Sequence, residues 1–284
     1  THPESDADKW EASSTTNNIT WTKTGAGLTL VDLYYSTNSG SDWNSTPIAT
    51  SVTAADLSHT WNPMPAGISS TARVKVVDST DDTVFDASDS DFHSIGRFTI
   101  TRPDGNSADD ADKIFIADNS HNILWEKHDI TGIPDVLLEF SYNGGSDWNY
   151  VIPAGNHLVT NSGTYGWTVD GSTISGYCKV RITDPLQAAA TAESSGTFDI
   201  RGSLAVTSPN LGSEDWSIGT TNDITWTKTG ALSTVKILYS TNSGSTYTQI
   251  PGATGISASA GTWEWDIDTD TVLSTDCRIK IEDE

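Results

Sequence analysis

Short runs in which apolar and polar side chains alternate recur along the whole chain, bounded by clusters of Gly, Asn, Ser and Pro. The clearest are ARVKVVD (72–78), CKVRITD (178–184) and CRIKIED (277–283). A period of two places Val74 and Val76, Val180 and Ile182, and Ile279 and Ile281 on one face. Arg73 and Lys75, Lys179 and Arg181, and Arg278 and Lys280 fall on the other. No stretch carries the 3.6-residue period of a convincing amphipathic helix. The pattern predicts short antiparallel strands, each with one buried and one wet face.

These runs belong to a threefold internal repeat. Trp21, Trp125 and Trp226 align within NITWTKT, NILWEKH and NDITWTKT. Downstream, YYSTNSGSDW (34–43), FSYNGGSDW (140–148) and YSTNSGSTY (239–247) superimpose, followed by aromatic turns at Trp61, Trp167 and Trp265. The period of about a hundred residues is too long for a solenoid unit and fits a small sandwich. The expected architecture is all-β: three tandem immunoglobulin-like antiparallel β-sandwich modules in a rod, over residues 1–96, 97–202 and 203–284. The joints FHSIGRFTITRP (92–103) and FDIRGSLAVTSP (198–209) carry the same spacing and no flexible Gly/Ser linker, which favours a semi-rigid arrangement. By comparison with the second module, the first lacks its opening strand and the third its closing strand, as expected of a fragment of a longer array.

Charge narrows the function. With 38 Asp+Glu against 15 Lys+Arg, the net charge is −23. That excludes a basic nucleic-acid-binding face and attraction to anionic membranes. No apolar run is long enough to span a bilayer. Hydrophobic content is a low 35%, but eleven Trp and eight Tyr argue against disorder.

Within the repeated turn, Ser36, Asn38, Gly40 and Trp43 in the first copy match Ser141, Asn143, Gly145 and Trp148 in the second. The third keeps Ser240, Asn242 and Gly244 and replaces Trp by Tyr247. This segment resembles the Asp-box hairpin of sialidases and related β-proteins, with Asn for the usual Asp. The resemblance implies a structural hairpin, in which Asn bonds the turn backbone, Gly takes a positive φ and the aromatic packs across the turn. The functional alternative is stacking of these aromatics on sugar rings. The wider module, from ITW through the V-K-V-x-D strand to S-G-x-F-x-I, resembles the Ser/Thr-rich immunoglobulin-like modules of bacterial and archaeal surface-layer, matrix and adhesin proteins. Those are similar in turn to the Kre9/Knh1-type domain of yeast cell-wall proteins. The resemblance implies a fold and a cell-surface setting.

Cys178 and Cys277 occupy equivalent positions, one module apart and beyond the reach of a disulfide, so both are expected as reduced, buried small hydrophobes. The six histidines share no spacing between copies, no catalytic or nucleotide-binding fingerprint appears, and nearly every distinctive feature is triplicated. A non-enzyme is expected. Acids gather at Asp78, Asp81, Asp82, Asp86, Asp89 and Asp91, and again at Asp104, Asp109, Asp110 and Asp112. Loops of this kind supply oxygen ligands to Ca2+, with Asp78, Asp81, Asp82, Asp104, Asp109, Asp110 and Asp112 the candidate ligands; solvated surface charge is the alternative. The outward cations of the late strand are expected to pair with Asp32 and Glu139, and a polyanion-binding stripe is the functional alternative. Asn18 and Asn44 open N-glycosylation sequons. The expected role is that of an extracellular structural segment of a surface layer, biofilm matrix or adhesin stalk, with calcium as the candidate stabilising ion. Its partners would be neighbouring copies or other surface components, and polysaccharide. The rival is a carbohydrate-binding accessory region of a secreted glycoside-active enzyme.

Overall fold

The structure is a computed structural model and describes residues 2–106, 112–128, 131–155, 158–172 and 174–284. It is all-β, in three tandem immunoglobulin-like sandwiches. The first comprises β1 (Lys9–Glu11), β2 (Asn17–Thr20), β3 (Leu30–Ser36), β4 (Ala49–Thr53), β5 (Ser58–Trp61), β6 (Ser69–Asp78), β7 (Asp81–Ala87) and β8 (Phe92–Ile95). The second comprises β9 (Thr99–Arg102), β10 (Ile114–Ile116), β11 (Ser120–Glu126), β12 (Asp135–Ser141), β13 (Tyr150–Ile152), β14 (Val159–Thr160), β15 (Thr164–Thr168), β16 (Ser175–Asp184), β17 (Gln187–Glu193) and β18 (Phe198–Arg201). The third comprises β19 (Ser203–Ser208), β20 (Thr221–Thr229), β21 (Thr234–Ser240), β22 (Thr248–Gln249), β23 (Ile256–Ser257), β24 (Thr262–Asp266) and β25 (Arg278–Asp283). Among the described residues no helix is long and apolar enough to cross a membrane.

The second module shows the plan most fully. One sheet runs β15-β11-β9 and the other β10-β18-β16-β12-β13, with β14 on β12 and β17 on β16. The first module repeats it as β2-β5 facing β1-β8-β6-β3-β4, with β7 on β6. Strand pairing departs from the purely antiparallel expectation at one equivalent place in each: β1 pairs β8, and β10 pairs β18, in parallel. In the first module His2 bridges Thr20 antiparallel, at the place where the second pairs Arg102 with Leu124.

Each module buries its own core. Trp10, Ile19, Trp21, Leu33, Trp61, Val74 and Phe92 gather in the first, and Phe115, Ile123, Trp125, Leu138, Trp167, Val180 and Phe198 in the second. Ile224, Trp226, Val235, Ile237 and Ile250 form the third. The alternation of the late strand is realised: Val74, Val180 and Ile182 point inward and are buried. Each early Trp also satisfies its indole N–H inside the core. Trp21 and Trp226 donate to the carbonyls of Ala54 and Ala258 at 3.1 and 2.9 Å, and Trp125 donates to Asn161 Oδ1 at 2.9 Å. An indole left unpaired there would cost about 1–3 kcal/mol.

The third module differs around its late strand. Phe92 and Phe198, opposite Ala72 and Cys178 in register, close the first two modules, whereas among the described residues no strand pairs with Cys277. Cys178 is accordingly fully buried and its thiol is pushed up to about 11 by burial, whereas Cys277 is exposed, correcting the expectation that both are core residues.

Candidate functional site

The repeated hairpin is the feature with the most regular chemistry. In the first copy the Ser36 hydroxyl donates to Asn38 Oδ1 at 2.8 Å and accepts from the N–H groups of Asn38 and Gly40 at 3.2 and 3.0 Å. Asn38 Oδ1 also accepts from the Asp42 N–H at 2.9 Å, and Asn38 Nδ2 donates to the Asp42 carboxylate at 3.0 Å. Ser141, Asn143, Gly145 and Asp147 repeat every one of these bonds, as do Ser240, Asn242, Gly244 and Thr246 with a hydroxyl in place of the carboxylate. Ser36, Ser141 and Ser240 are buried, so their hydroxyls are internal turn staples.

The glycine is needed for space as well as conformation. Gly145 has φ +91°, and a Cβ there would lie 3.2 Å from the Trp148 ring. Trp43, Trp148 and Tyr247 are half-buried over their turns, and each has a cation on the ring. Lys75 Nζ lies 4.8 Å from the Trp43 centroid, the Arg181 guanidinium 4.4 Å from Trp148, and Lys280 Nζ 5.4 Å from Tyr247. The outward basic stripe is thereby engaged with the repeated aromatics, a pairing the sequence reading missed. A ring that already carries a cation offers less face to a sugar.

Only part of the expected ion pairing forms. Arg181 pairs with Glu139 at 2.7 Å. Asp32 instead accepts from the Ser51 N–H and the Ser79 hydroxyl, and Arg73 turns to Asp91 at 2.6 Å.

The first acidic cluster lies on a hairpin, since residues 81–87 form β7 against β6. Asp78 accepts from Thr80 N and Oγ1, and Asp81 from Thr83 N and Oγ1, each within its own turn. The Thr83 hydroxyl and N–H hold the Asp81 carboxyl below its ordinary value. Asp82 is exposed, Asp86 is paired opposite Val76, and Asp91 is taken up by Arg73 and Ser39. In the second cluster Asp104 caps Asn106 at 3.0 Å and Asp112 pairs with Arg102 at 3.1 Å. Asp109 and Asp110 lie outside the described residues. Among the described residues no three His, Cys, Asp or Glu side chains converge as a metal-binding group.

The joints between modules are specific. Three residues separate β8 from β9, and Gly202 alone separates β18 from β19. Ile68 packs against the second core, and Ile174, at the same place in its own module, packs against the third. Gly67 bridges Thr131, and Gln187 Nε2 lies 2.7 Å from His93 Nδ1. At the second joint Asp118 accepts from the Gly230 N–H at 3.0 Å and from the Gly171 N–H at 3.2 Å. Elsewhere, Tyr239, Ile250, Trp263 and Trp265 with Glu264, Asp266, Asp268 and Asp270 line a shallow cleft of about 300 Å³ in the third module.

No known family matches the chain, and no curated protein matches it. Solved structures to which it is similar include the fibronectin(III)-like modules of Clostridium thermocellum CbhA, at 16% identity and TM-score 0.23, covering 70% of this chain and 90% of that one. Three N-terminal domains of the bacteriophage RB49 Highly Immunogenic Outer Capsid protein match at 15% identity and TM-score 0.22, over 94% and 88%. An ICAM-5 D1–D4 ectodomain fragment matches at 10% identity and TM-score 0.28, over 97% and 72%.

Proposed function

We propose that the chain is a non-enzymatic structural segment of an extracellular surface-layer, matrix or adhesin-stalk polypeptide, whose modules span distance in a fixed mutual arrangement. The equivalence of the two joints carries this reading. Ile68 and Ile174 stand four residues before Ala72 and Cys178 and pack on the following module's core. Leu273, four residues before Cys277, matches them and is 73% exposed. Such a side chain suits a face that receives another module or a neighbouring surface component. Small-angle X-ray scattering tests the arrangement: a stiff tandem gives a radius of gyration well above the roughly 19 Å of a compact globule of this length. A value near that figure, or the broad distance distribution of freely jointed modules, overturns it.

Calcium enters this reading at the second acidic cluster, Asp104, Asp109, Asp110 and Asp112, because the carboxylates of Asp78 and Asp81 are engaged in their own turns. A calcium-dependent rise in the melting midpoint, cancelled by chelator and absent from D109N/D110N, supports it. Equal midpoints with calcium and chelator remove the cation.

A further inference from the structure

In the second copy of the repeated hairpin the residue after Asn is glycine. Asn143-Gly144 is the one Asn-Gly pair in the sequence, and the matching positions of the other copies are Ser39 and Ser243. All three residues at this place hold a positive φ, +57° at Ser39, +72° at Gly144 and +55° at Ser243, so the turn accepts either residue type. The difference is chemical. The backbone nitrogen that follows an Asn is a nucleophile toward the carboxamide carbon of that Asn. A side chain on the following residue obstructs the attack, and glycine has none. Asn143 and Gly144 are both exposed, so water reaches them.

The closed hairpin withholds both reacting groups. The Gly144 N–H donates to the Tyr177 carbonyl on β16 at 2.7 Å, which keeps the proton on the nitrogen that has to lose it. The Asn143 carboxamide is tied at both ends: Oδ1 accepts from the Ser141 hydroxyl at 2.7 Å and the Asp147 N–H at 3.0 Å, and Nδ2 donates to Asp147 at 2.8 Å. Turning its carbon toward Gly144 breaks these bonds.

We infer that Asn143 is a modification site, at which the chain deamidates itself when the second hairpin opens and so records that opening. The Gly144 nitrogen gives up its proton to hydroxide and bonds to Asn143 Cγ; the Cγ–Nδ2 bond breaks and ammonia leaves. Water then opens the five-membered imide at either carbonyl. The sum consumes one water and releases one ammonia, leaving aspartate or isoaspartate and one added negative charge. Neither product rebuilds the turn. Aspartate has no donor for Asp147, and isoaspartate lengthens the main chain between Ser141 and Gly145, whose N–H the Ser141 hydroxyl accepts at 3.0 Å. Opening thereby becomes one-way at the second hairpin, while the first and third, with Ser in place of Gly, close again unaltered. The inference goes beyond the structural role proposed above and does not require it.

The folded chain and the chain in urea are incubated at mildly alkaline pH, and conversion at each Asn is followed by peptide mapping with mass spectrometry. Asn38 and Asn242 are the references within the same molecule. In urea Asn143 is expected to convert about tenfold or more faster than either reference. In the folded chain it is expected to convert about tenfold or more slower than in urea, because only open hairpins react. G144S places the residue type of the other two copies at a site with nothing within 4 Å of its Cβ, and is expected to bring Asn143 down to the reference rate in urea. Once urea is removed, the converted chain is expected to exchange its Gly145 N–H about tenfold faster than the unconverted chain. The inference is overturned if Asn143 in urea converts no faster than Asn38 and Asn242, or if the folded chain converts it as fast as the unfolded one. Unchanged Gly145 exchange in the converted chain overturns the one-way closure.

Discussion

Asn143 faces Asp147 with both ends of its amide: Nδ2 donates to the Asp147 carboxylate at 2.8 Å, and Oδ1 accepts from the Asp147 N–H at 3.0 Å. An aspartate in its place has no donor at neutral pH and would set two carboxylates against each other. This accounts for Asn rather than Asp in the turn and separates the three copies. N38D and N143D are each expected to cost their module about 1–2 kcal/mol. N242D should be nearly neutral, because the Thr246 hydroxyl that accepts from Asn242 Nδ2 at 2.8 Å rotates to donate instead. Denaturant unfolding of the three variants at pH 7 measures this, and equal losses in all three would contradict it.

The hairpin was legible because its residues are consecutive and occur three times. The late strands were legible because a period of two survives over seven residues. The parallel pairs β1–β8 and β10–β18 were not: KWE and IFI are too short to show a period, and each meets a strand far along the chain. β7 was hidden by its own acids, since DDTVFDA reads as a cation loop until Phe85 is found opposite Val77. The cations over Trp43 and Trp148 depend on the register of β3 with β6 and of β12 with β16, which no local pattern encodes. Cys277 misled because burial of that position depends on a pairing such as that of Cys178 with Phe198, which no local pattern encodes.

Arg181 carries two duties, of which Lys75, at the equivalent position, shares only the covering of the hairpin aromatic. It pairs with Glu139, whose side chain is 11% exposed, and it covers Trp148. R181M strands a nearly buried carboxylate and is expected to cost about 3 kcal/mol. R181K restores the charge without the planar fork and recovers part of that. K75M removes a cation from Tyr34, Trp43 and Phe85 and should cost about 0.5–1 kcal/mol. Comparable losses for R181M and K75M would show that Glu139 does not depend on Arg181.

His121 makes the second module sensitive to mild acid. Its ring stacks on Phe115 with centroids 4.3 Å apart, and its Nε2 lies 2.9 Å from the Ile116 N–H, which it accepts when neutral. Burial holds its pKa below the ordinary 6.5; the backbone contact at Ile116 opposes this and the positive charge of Arg102 adds to it. A folded-state pKa below the unfolded one means that the unfolded chain takes up the proton first. The stabilisation is complete above about pH 6.5 and is lost as pH falls through the lower folded value, with a slope of at most about 1.4 kcal/mol per pH unit. The melting midpoint of the second module should be flat from pH 8 to 7 and decline below 6.5, in parallel with the His121 ring titration followed by NMR. H121Q should flatten that decline, and an unaltered decline in H121Q would assign it to other groups.

Gly230 is where stiffness between the second and third modules is most open to test. Its φ is +74°, and a Cβ there would meet Gly202 Cα at 2.9 Å and Ala117 Cβ at 3.0 Å, both across the joint. Its N–H is the one that Asp118 accepts. Ala at this position is penalised by conformation and by contact, together about 1–3 kcal/mol, and the cheapest relief is for the two modules to part. Gly27, with nothing within 4 Å of its Cβ position and no positive φ, is the control. G230A is therefore expected to broaden the scattering distance distribution while amide protection in the Val180 and Ile237 strands stays at its original level, and G27A to change neither. If G230A leaves the distribution unchanged but lowers protection around Ile237, the strain has gone into the third core and the joint is stiffer than the sandwich it holds.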